Sequence, residues 1–232
     1  MRALVAEFVG TALLLAAVVG SGIMGERLAG GNIALALLAN TLATGATLVA
    51  LILTFGPISG AHFNPVVSLA DASQGGLSWG RAIGYSIGQT AGGVVGVGAA
   101  NYMFEEALFS WSVHARSGLP QAFSEAVATF GLLAVIWGCS RRRSNAVPFA
   151  VGAYITGAYW FTASTSFANP AVTIARAMTN TFAGIRPTDV PAFVAAQAIG
   201  GAAATALFRW LVPVLPRTAE QLVMPHDRRD GR

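Results

Sequence analysis

Six apolar stretches alternate with short polar segments along the chain. A helix that crosses the hydrocarbon core of a bilayer needs about 20 mostly apolar residues at 1.5 Å per residue. The pattern predicts six membrane-spanning helices, at about Leu4–Ile23, Ile33–Phe55, Trp79–Met103, Gln121–Cys139, Val147–Ala163 and Val190–Val214. An even number of crossings places both termini on the same side of the membrane.

A shorter element follows the second span and again the fifth. Its two copies begin with the motifs Asn64-Pro65-Val66 and Asn169-Pro170-Ala171. Asparagine caps the free N–H groups of a helix, and proline fits the first helical position because no donor is needed there. From the proline to about Asp71 or Met178, each helix covers only roughly 10–14 Å, about half of a hydrocarbon core. We expect two half-helices that enter the membrane from loops.

The two halves of the chain repeat in the same order. A Glu-x-Val-x-Thr motif begins at Glu7 and again at Glu125, and a Gln-x-x-Gly-Gly motif begins at Gln89 and again at Gln197. Three spans per half is an odd number, so the repeats, at about 1–105 and 119–214, are predicted to be inverted, with the half-helix N-termini facing each other at the midplane. We expect one membrane domain over residues 1–232, ending in a tail at 215–232.

Composition indicates an integral membrane protein. Hydrophobic residues make up 54% of the chain and charged residues 10%, and the mean hydropathy is +0.61, whereas a soluble domain carries about 25% charge. All fourteen basic residues are arginine, and nine of them, including Arg141, Arg142 and Arg143, fall on the side of the termini. By the positive-inside rule we expect both termini to be cytoplasmic. We therefore interpret the net charge of +4 as a sign of this orientation and not of nucleic-acid binding. The expected partner is the lipid bilayer.

Residues of the types that bind metals or act as nucleophiles are few. The three histidines, His62, His114 and His226, are scattered, and Cys139 is the single thiol. We expect no catalytic site, no metal and no cofactor, and hence no enzyme.

These motifs resemble those of the major intrinsic proteins, the aquaporins and aquaglyceroporins, over essentially the whole chain to about Val214. The resemblance depends on the segments 6–11 and 59–66, on Asn169-Pro170-Ala171 and on both Gln-x-x-Gly-Gly motifs. It implies an all-α, aquaporin-like bundle of six transmembrane helices plus two re-entrant half-helices in an inverted repeat. It also implies one pore per subunit and a homotetramer.

The two intramembrane carboxylates, Glu7 and Glu125, need compensation, since an ionised residue at the centre of a span costs about 2.5–3.5 kcal/mol. The resemblance implies that they support the backbone of the re-entrant loops, with Gln89 and Gln197 beside them. A proton relay and, for Glu7, a side chain extending to the membrane surface are the alternatives. Likewise His62 either hydrogen-bonds within its loop or acts as a pH gate.

Asn64 and Asn169 are the expected polar contacts of the pore. If each side-chain oxygen caps its own helix, the amide NH₂ group faces the lumen as a donor to a passing hydroxyl. The two helix N-termini contribute about half a positive charge each, which opposes cations and proton relay but not neutral solutes.

The resemblance also locates a selectivity filter. Counting from the two asparagines, its positions are Thr44, Gly157, Ser166 and Val172. Most members carry Arg where this chain has Val172, so we expect a wider and less polar constriction. Arg176, one helical turn further along, either reaches the vestibule of the pore or extends to water and headgroups.

The sequence therefore predicts a passive channel for small uncharged solutes with water as a co-permeant. A filter without Arg also resembles the bacterial aquaglyceroporins associated with arsenic resistance, which implies arsenous acid beside glycerol. The alternatives are a glycerol or water channel, a proton-coupled transporter and an adhesive membrane protein with a closed pore.

Overall fold

A computed structural model describes residues 1–140 and 144–212. The three consecutive arginines at 141–143 and the predicted tail at 215–232 lie outside the described residues. Eight helices of more than one turn and two short 3₁₀ turns, Ser144–Ala146 and Pro187–Asp189, make up the described part. The helices are α1 Arg2–Leu28, α2 Ile33–Ser59, α3 Pro65–Ser73, α4 Trp79–Met103, α5 Leu119–Ser140, α6 Val147–Phe161, α7 Pro170–Arg176 and α8 Val190–Leu211.

Each of the six predicted spans is a helix, and the all-α fold class is confirmed. Within the described ranges, four segments have both the length and the hydropathy of a span: α1, α2, α5, and α8 together with the turn before it. Helix α4 is long enough, but glycine and polar residues lower its hydropathy. Helix α6 has 15 residues, about 22 Å at 1.5 Å per residue, and the turn before it adds to that length.

The two half-helices, α3 and α7, begin as the sequence predicts. Asn64 Oδ1 accepts a hydrogen bond from the backbone N–H of Val66, and Asn169 Oδ1 accepts from the N–H groups of Ala171 and Val172. A proline follows each cap. With nine and seven residues, α3 and α7 are too short to cross a bilayer.

Small residues let the long helices approach closely in both repeats. A Cβ atom on Gly92 of α4 would lie 2.2 Å from the carbonyl oxygen of Phe8 in α1. A Cβ atom on Gly200 of α8 would lie 2.2 Å from the carbonyl oxygen of Ala126 in α5. The contact between α1 and α4 in the first repeat is therefore equivalent to the contact between α5 and α8 in the second. Both half-helices pack against α4 and α8, which brings their N-termini together.

Candidate solute pathway

Two amide hydrogen bonds cross between the re-entrant loops. Asn64 Nδ2 donates to the carbonyl oxygen of Ala168 over 2.7 Å, and Asn169 Nδ2 donates to the carbonyl oxygen of Phe63 over 2.8 Å. One of the two N–H donors of each NH₂ group is therefore engaged by the opposite loop, so only the other can be the predicted donor to a solute. One donor per asparagine remains for a solute.

The carboxylate of Glu7 is completely buried and holds the first loop. It accepts hydrogen bonds from the backbone N–H groups of His62 and Phe63, at 2.9 and 2.7 Å, and from Ser59 Oγ at 2.6 Å. Gln89 Nε2 donates to it over 2.7 Å. The side chain therefore does not extend to the membrane surface. Its contacts are those of loop support.

Glu125 occupies the equivalent position in the second repeat. It accepts from the backbone N–H groups of Phe167 and Ala168, at 2.9 and 2.8 Å, and from Gln197 Nε2 at 2.6 Å. Gln197 also donates to Thr173 of α7, as Gln89 donates to Ser68 of α3. Each glutamine thus joins a carboxylate to a half-helix.

These supports hold backbone that is unfavourable by itself. In the two re-entrant loops, five residues other than glycine have positive φ angles of 48° to 61°, a region in which a Cβ atom is strained. They are Ala61, Phe63, Thr165, Ser166 and Ala168. The carboxylates bind N–H groups within or beside these strained segments, so they maintain the loop conformation.

His62 lies in the first loop and faces two residues of α3. Its Nδ1 is 3.1 Å from Ser68 Oγ, and its Nε2 is 3.7 Å from Asp71 Oδ2. Both partners are buried. These contacts fit the interpretation of His62 as a loop residue.

A narrow cavity of about 70 Å³ runs along the half-helix N-termini. His62, Asn64 and Asn169 line this cavity together with residues of both loops. Most of its remaining wall is aliphatic, formed by Leu14, Val18, Leu48, Ile52, Val67, Leu132, Ile136, Val151 and Ile155. Across residues 1–140 and 144–212, no group of three or more His, Cys, Asp or Glu side chains could hold a metal ion.

Comparison with known proteins identifies this architecture. The family described as Major intrinsic protein matches residues 1–161. The chain belongs to the major intrinsic protein family. It is therefore a multi-pass membrane protein of a channel family and not of an enzyme family.

Individual relatives agree with this assignment. Aquaglyceroporin AqpS of Rhizobium meliloti (strain 1021) is 52% identical over 224 residues, which cover 95% of this chain and 96% of AqpS. Probable aquaporin NIP7-1 of Arabidopsis thaliana is 31% identical over 67% of this chain and 58% of its own length. The X-ray structure of the aquaglyceroporin from Plasmodium falciparum matches with a TM-score of 0.74 at 19% identity, covering 92% of this chain and 98% of that one, which supports the fold.

Gly157, one of the four predicted filter residues, is not among the residues that line this cavity. Thr44, Ser166 and Val172 line the cavity together with Arg176, the last residue of α7, and we call this part of the cavity its α7 end. Gly157 lies on the exposed face of α6. Two residues further on, Tyr159 lines the cavity instead, and its hydroxyl donates a long, 3.4 Å hydrogen bond to Thr44 Oγ1. Two residues correspond to about 200° around a helix, so the face changes.

A pattern in the sequence could have identified Tyr159. Val151, Ile155 and Tyr159 stand four residues apart, and all three line the cavity. Spacing by four keeps side chains on one face of a helix. A count back from Asn169 passes through the loop between α6 and α7, whose residues do not follow the helical period, so the count can assign a residue to the wrong face of α6. Spacing within α6 does not depend on that loop.

Arg176 is buried at the α7 end of the cavity, and the alternative in which it reaches water or headgroups is wrong. Its residue surface is 2% exposed, and it is among the cavity-lining residues. Nε donates to the carbonyl oxygen of Ala183. The guanidinium carbon lies 3.4 Å from the centroid of the Phe167 ring, a stacking distance.

A second arginine near the pore was not predicted from the sequence. Arg116, in the connection between the repeats, donates through Nε to Gly184 O at 2.8 Å and through Nη1 to Ser164 O at 3.3 Å. Its backbone N–H donates to Asp189 Oδ2 at 2.8 Å. Burial lowers the pKa of the Arg116 guanidinium, while the charge of Glu125 raises it. Arg116 therefore fastens the loop before α7 to the chain after it.

Proposed function

We propose that this protein is a passive channel for small uncharged polyhydroxylated solutes, including glycerol and arsenous acid, with water as a co-permeant. The observation that carries the proposal is the composition of the cavity wall, in which Asn64, Asn169 and three hydroxyl side chains, together with His62 and Arg176, interrupt a mainly apolar surface. Such a wall offers hydrogen bonds to hydroxyl groups and an apolar contact to the carbon skeleton between them. The 52% identity to a protein named an aquaglyceroporin supports this solute class.

Arsenous acid is proposed on chemical grounds. It is a neutral triol of glycerol-like size at pH 7, so a pathway suited to one suits the other. Val172 at the filter supports both solutes, because an apolar residue there leaves more room than an arginine.

Proton-coupled transport is less well supported. Glu7 and Glu125 use both carboxylate oxygens to accept hydrogen bonds from fixed loop and glutamine donors. A relay group has to gain and lose protons, and protonation would break these bonds. The support role therefore fits these contacts better.

We further propose a homotetramer in a bacterial inner membrane with cytoplasmic termini, and one domain built from the two repeats. Large apolar side chains on the outer surface of α2, Leu35, Leu38 and Leu42, are exposed in the single chain and suit burial by lipid or by another subunit. Mass measurement in detergent checks the subunit number.

Stopped-flow light scattering on proteoliposomes tests the function. Shrinkage after mixing with sucrose reports water flux, and reswelling with glycerol or arsenous acid as the osmolyte reports solute flux. We expect all three fluxes to exceed those of protein-free vesicles and to be unaffected by an imposed proton gradient. Solute flux that follows the gradient would indicate a transporter, and no neutral-solute or water flux would indicate a closed, adhesive protein.

A further inference from the structure

Two polar groups at the α7 end of the cavity have no hydrogen-bond partner among the described residues. They are Ser166 Oγ and Arg176 Nη1, and both residues are buried while lining the same cavity. An unpaired buried group is disfavoured, more so when it belongs to a charged side chain, and native proteins rarely keep one without a ligand or water to satisfy it.

Arg176 is held in place without using this donor. Its Nε is engaged by Ala183 O, and its guanidinium plane is stacked on Phe167. A guanidinium fixed at two points keeps its remaining N–H groups in a set direction, so a solute that accepts from Nη1 does not have to order the side chain first.

The charge of Arg176 is also not paired locally. No carboxylate in the described ranges forms an ion pair with it, and the next guanidinium, Arg116, has the same sign. The charge of Glu125 acts on both guanidiniums without forming an ion pair, but of these three groups only Arg176 lines the cavity, where its positive charge opposes the entry of cations. A neutral solute with oxygen acceptors does not meet this barrier.

Further hydroxyl groups lie at the same end. Tyr159 and Thr44 share only a long, 3.4 Å bond, so both remain available to a closer partner. Val172 supplies the apolar surface between these groups and the midplane asparagines.

We propose that Ser166 and Arg176 form the solute-binding station of this channel and that Arg176 is its cation barrier. The inference rests on the proposed channel function. Arg176 Nη1 donates to one hydroxyl oxygen of a neutral polyol, and Ser166 Oγ exchanges a hydrogen bond with a second hydroxyl. The ligand class is therefore a small uncharged molecule with two neighbouring hydroxyl groups, which satisfies both unpaired atoms at once.

Competition between glycerol and water tests the station. Glycerol is equilibrated on both sides of a proteoliposome at increasing concentrations, and water flux is driven by sucrose. A bound glycerol slows water in a narrow pore, so the glycerol concentration that halves water flux measures occupancy. Leak of Na⁺ down a concentration gradient is measured on the same vesicles.

Three variants separate charge from hydrogen bonding. Arg176→Met keeps an unbranched side chain without charge or donor, Arg176→Lys keeps the charge without the planar fork, and Ser166→Ala removes the hydroxyl. The matched control is Arg186→Met, since Arg186 is a loop arginine whose side chain is 42% exposed and which does not line the cavity.

We expect Arg176→Met to raise the half-inhibiting glycerol concentration about tenfold and to admit Na⁺, because it loses a charged hydrogen bond and the barrier together. Arg176→Lys should raise that concentration but continue to exclude Na⁺. Ser166→Ala should raise it severalfold, also without a Na⁺ leak, and Arg186→Met should match the parent. If the role of Arg176 were purely structural, Arg176→Met and Arg176→Lys would not differ in Na⁺ leak while both raise the half-inhibiting glycerol concentration.

The proposal is overturned if the half-inhibiting concentration is unchanged in both Ser166→Ala and Arg176→Lys, or if Arg176→Met conducts water and still excludes Na⁺. Should Arg176→Met not insert, the first criterion decides. A parent that passes water but no glycerol would refute the proposed solute class, and the Na⁺ measurement would still decide the role of Arg176.

Discussion

The side-chain amide of Asn169 donates to the carbonyl oxygen of Phe63 over 2.8 Å, so the cap of one half-helix closes on the loop that leads into the other. The same side chain accepts from two N–H groups of its own helix. Asn169 therefore serves the helix end, the opposite loop and the lumen with a single amide group.

Asn169→Leu removes all of these bonds at nearly constant volume. We expect a loss of helix-end stability of about 1 kcal/mol or more, a lower melting temperature and a strong fall in water and glycerol flux per inserted channel. Asn32→Leu is the matched control, because Asn32 also caps a helix, at the exposed start of α2, through Leu35 N. Equal swelling of vesicles with Asn169→Leu and with the parent would contradict a pore-facing amide.

Glu125→Gln places an amide where three donors converge. One carboxylate oxygen becomes an NH₂ group that faces an N–H donor of Phe167, Ala168 or Gln197. We therefore expect the free energy of unfolding to fall by about 1–3 kcal/mol, measured by thermal unfolding. Solute flux through correctly inserted channels should remain passive. Glu26→Gln, at an exposed position, should leave stability unchanged. Proton-driven uptake that is present in the parent and absent in Glu125→Gln would contradict the channel.

Val172→Arg introduces a long cationic side chain into a cavity of about 70 Å³. We expect glycerol and arsenous acid flux to fall far more than water flux, because the pathway narrows and the added donors suit water better than a triol. Val172→Leu adds bulk without charge and separates the two causes. An unchanged ratio of solute to water flux in Val172→Arg would show that Val172 is not at the constriction.

Gly157 and Tyr159 provide a paired test of the corrected filter. Tyr159→Ala should widen the pathway and raise glycerol flux relative to water, since the ring lines the cavity. Gly157→Leu should leave both fluxes unchanged, because no heavy atom of another part of the chain lies within 4 Å of the position of its Cβ atom. The opposite pattern, with an effect only at Gly157, would restore the filter that was counted from the sequence.

Local chemistry made much of the site predictable. Asn64 and Asn169 are caps because of the proline and the apolar run after them, and Glu7 and Glu125 needed partners because the membrane offers no water. Contacts between distant segments could not be derived in this way. The bond from Asn64 to Ala168 and the anchoring of the second loop by Arg116 depend on how the repeats meet in space. Tyr159 was missed because a count along a loop was applied to a helix face.

The hydrogen bond between Asn64 and Ala168 also has a consequence for the order of folding. The two residues are 104 positions apart, so at 5–20 residues per second the first loop waits roughly 5–20 s for its partner during synthesis. Glu7 is already present, and Gln89 follows much sooner, which gives the strained backbone at Phe63 early support from its own half. The first half can therefore fold on its own, but the hydrogen bond from Asn64 at the start of α3 forms only when the second half inserts. A chain truncated between the repeats would be expected to keep its helices and lack a finished pore.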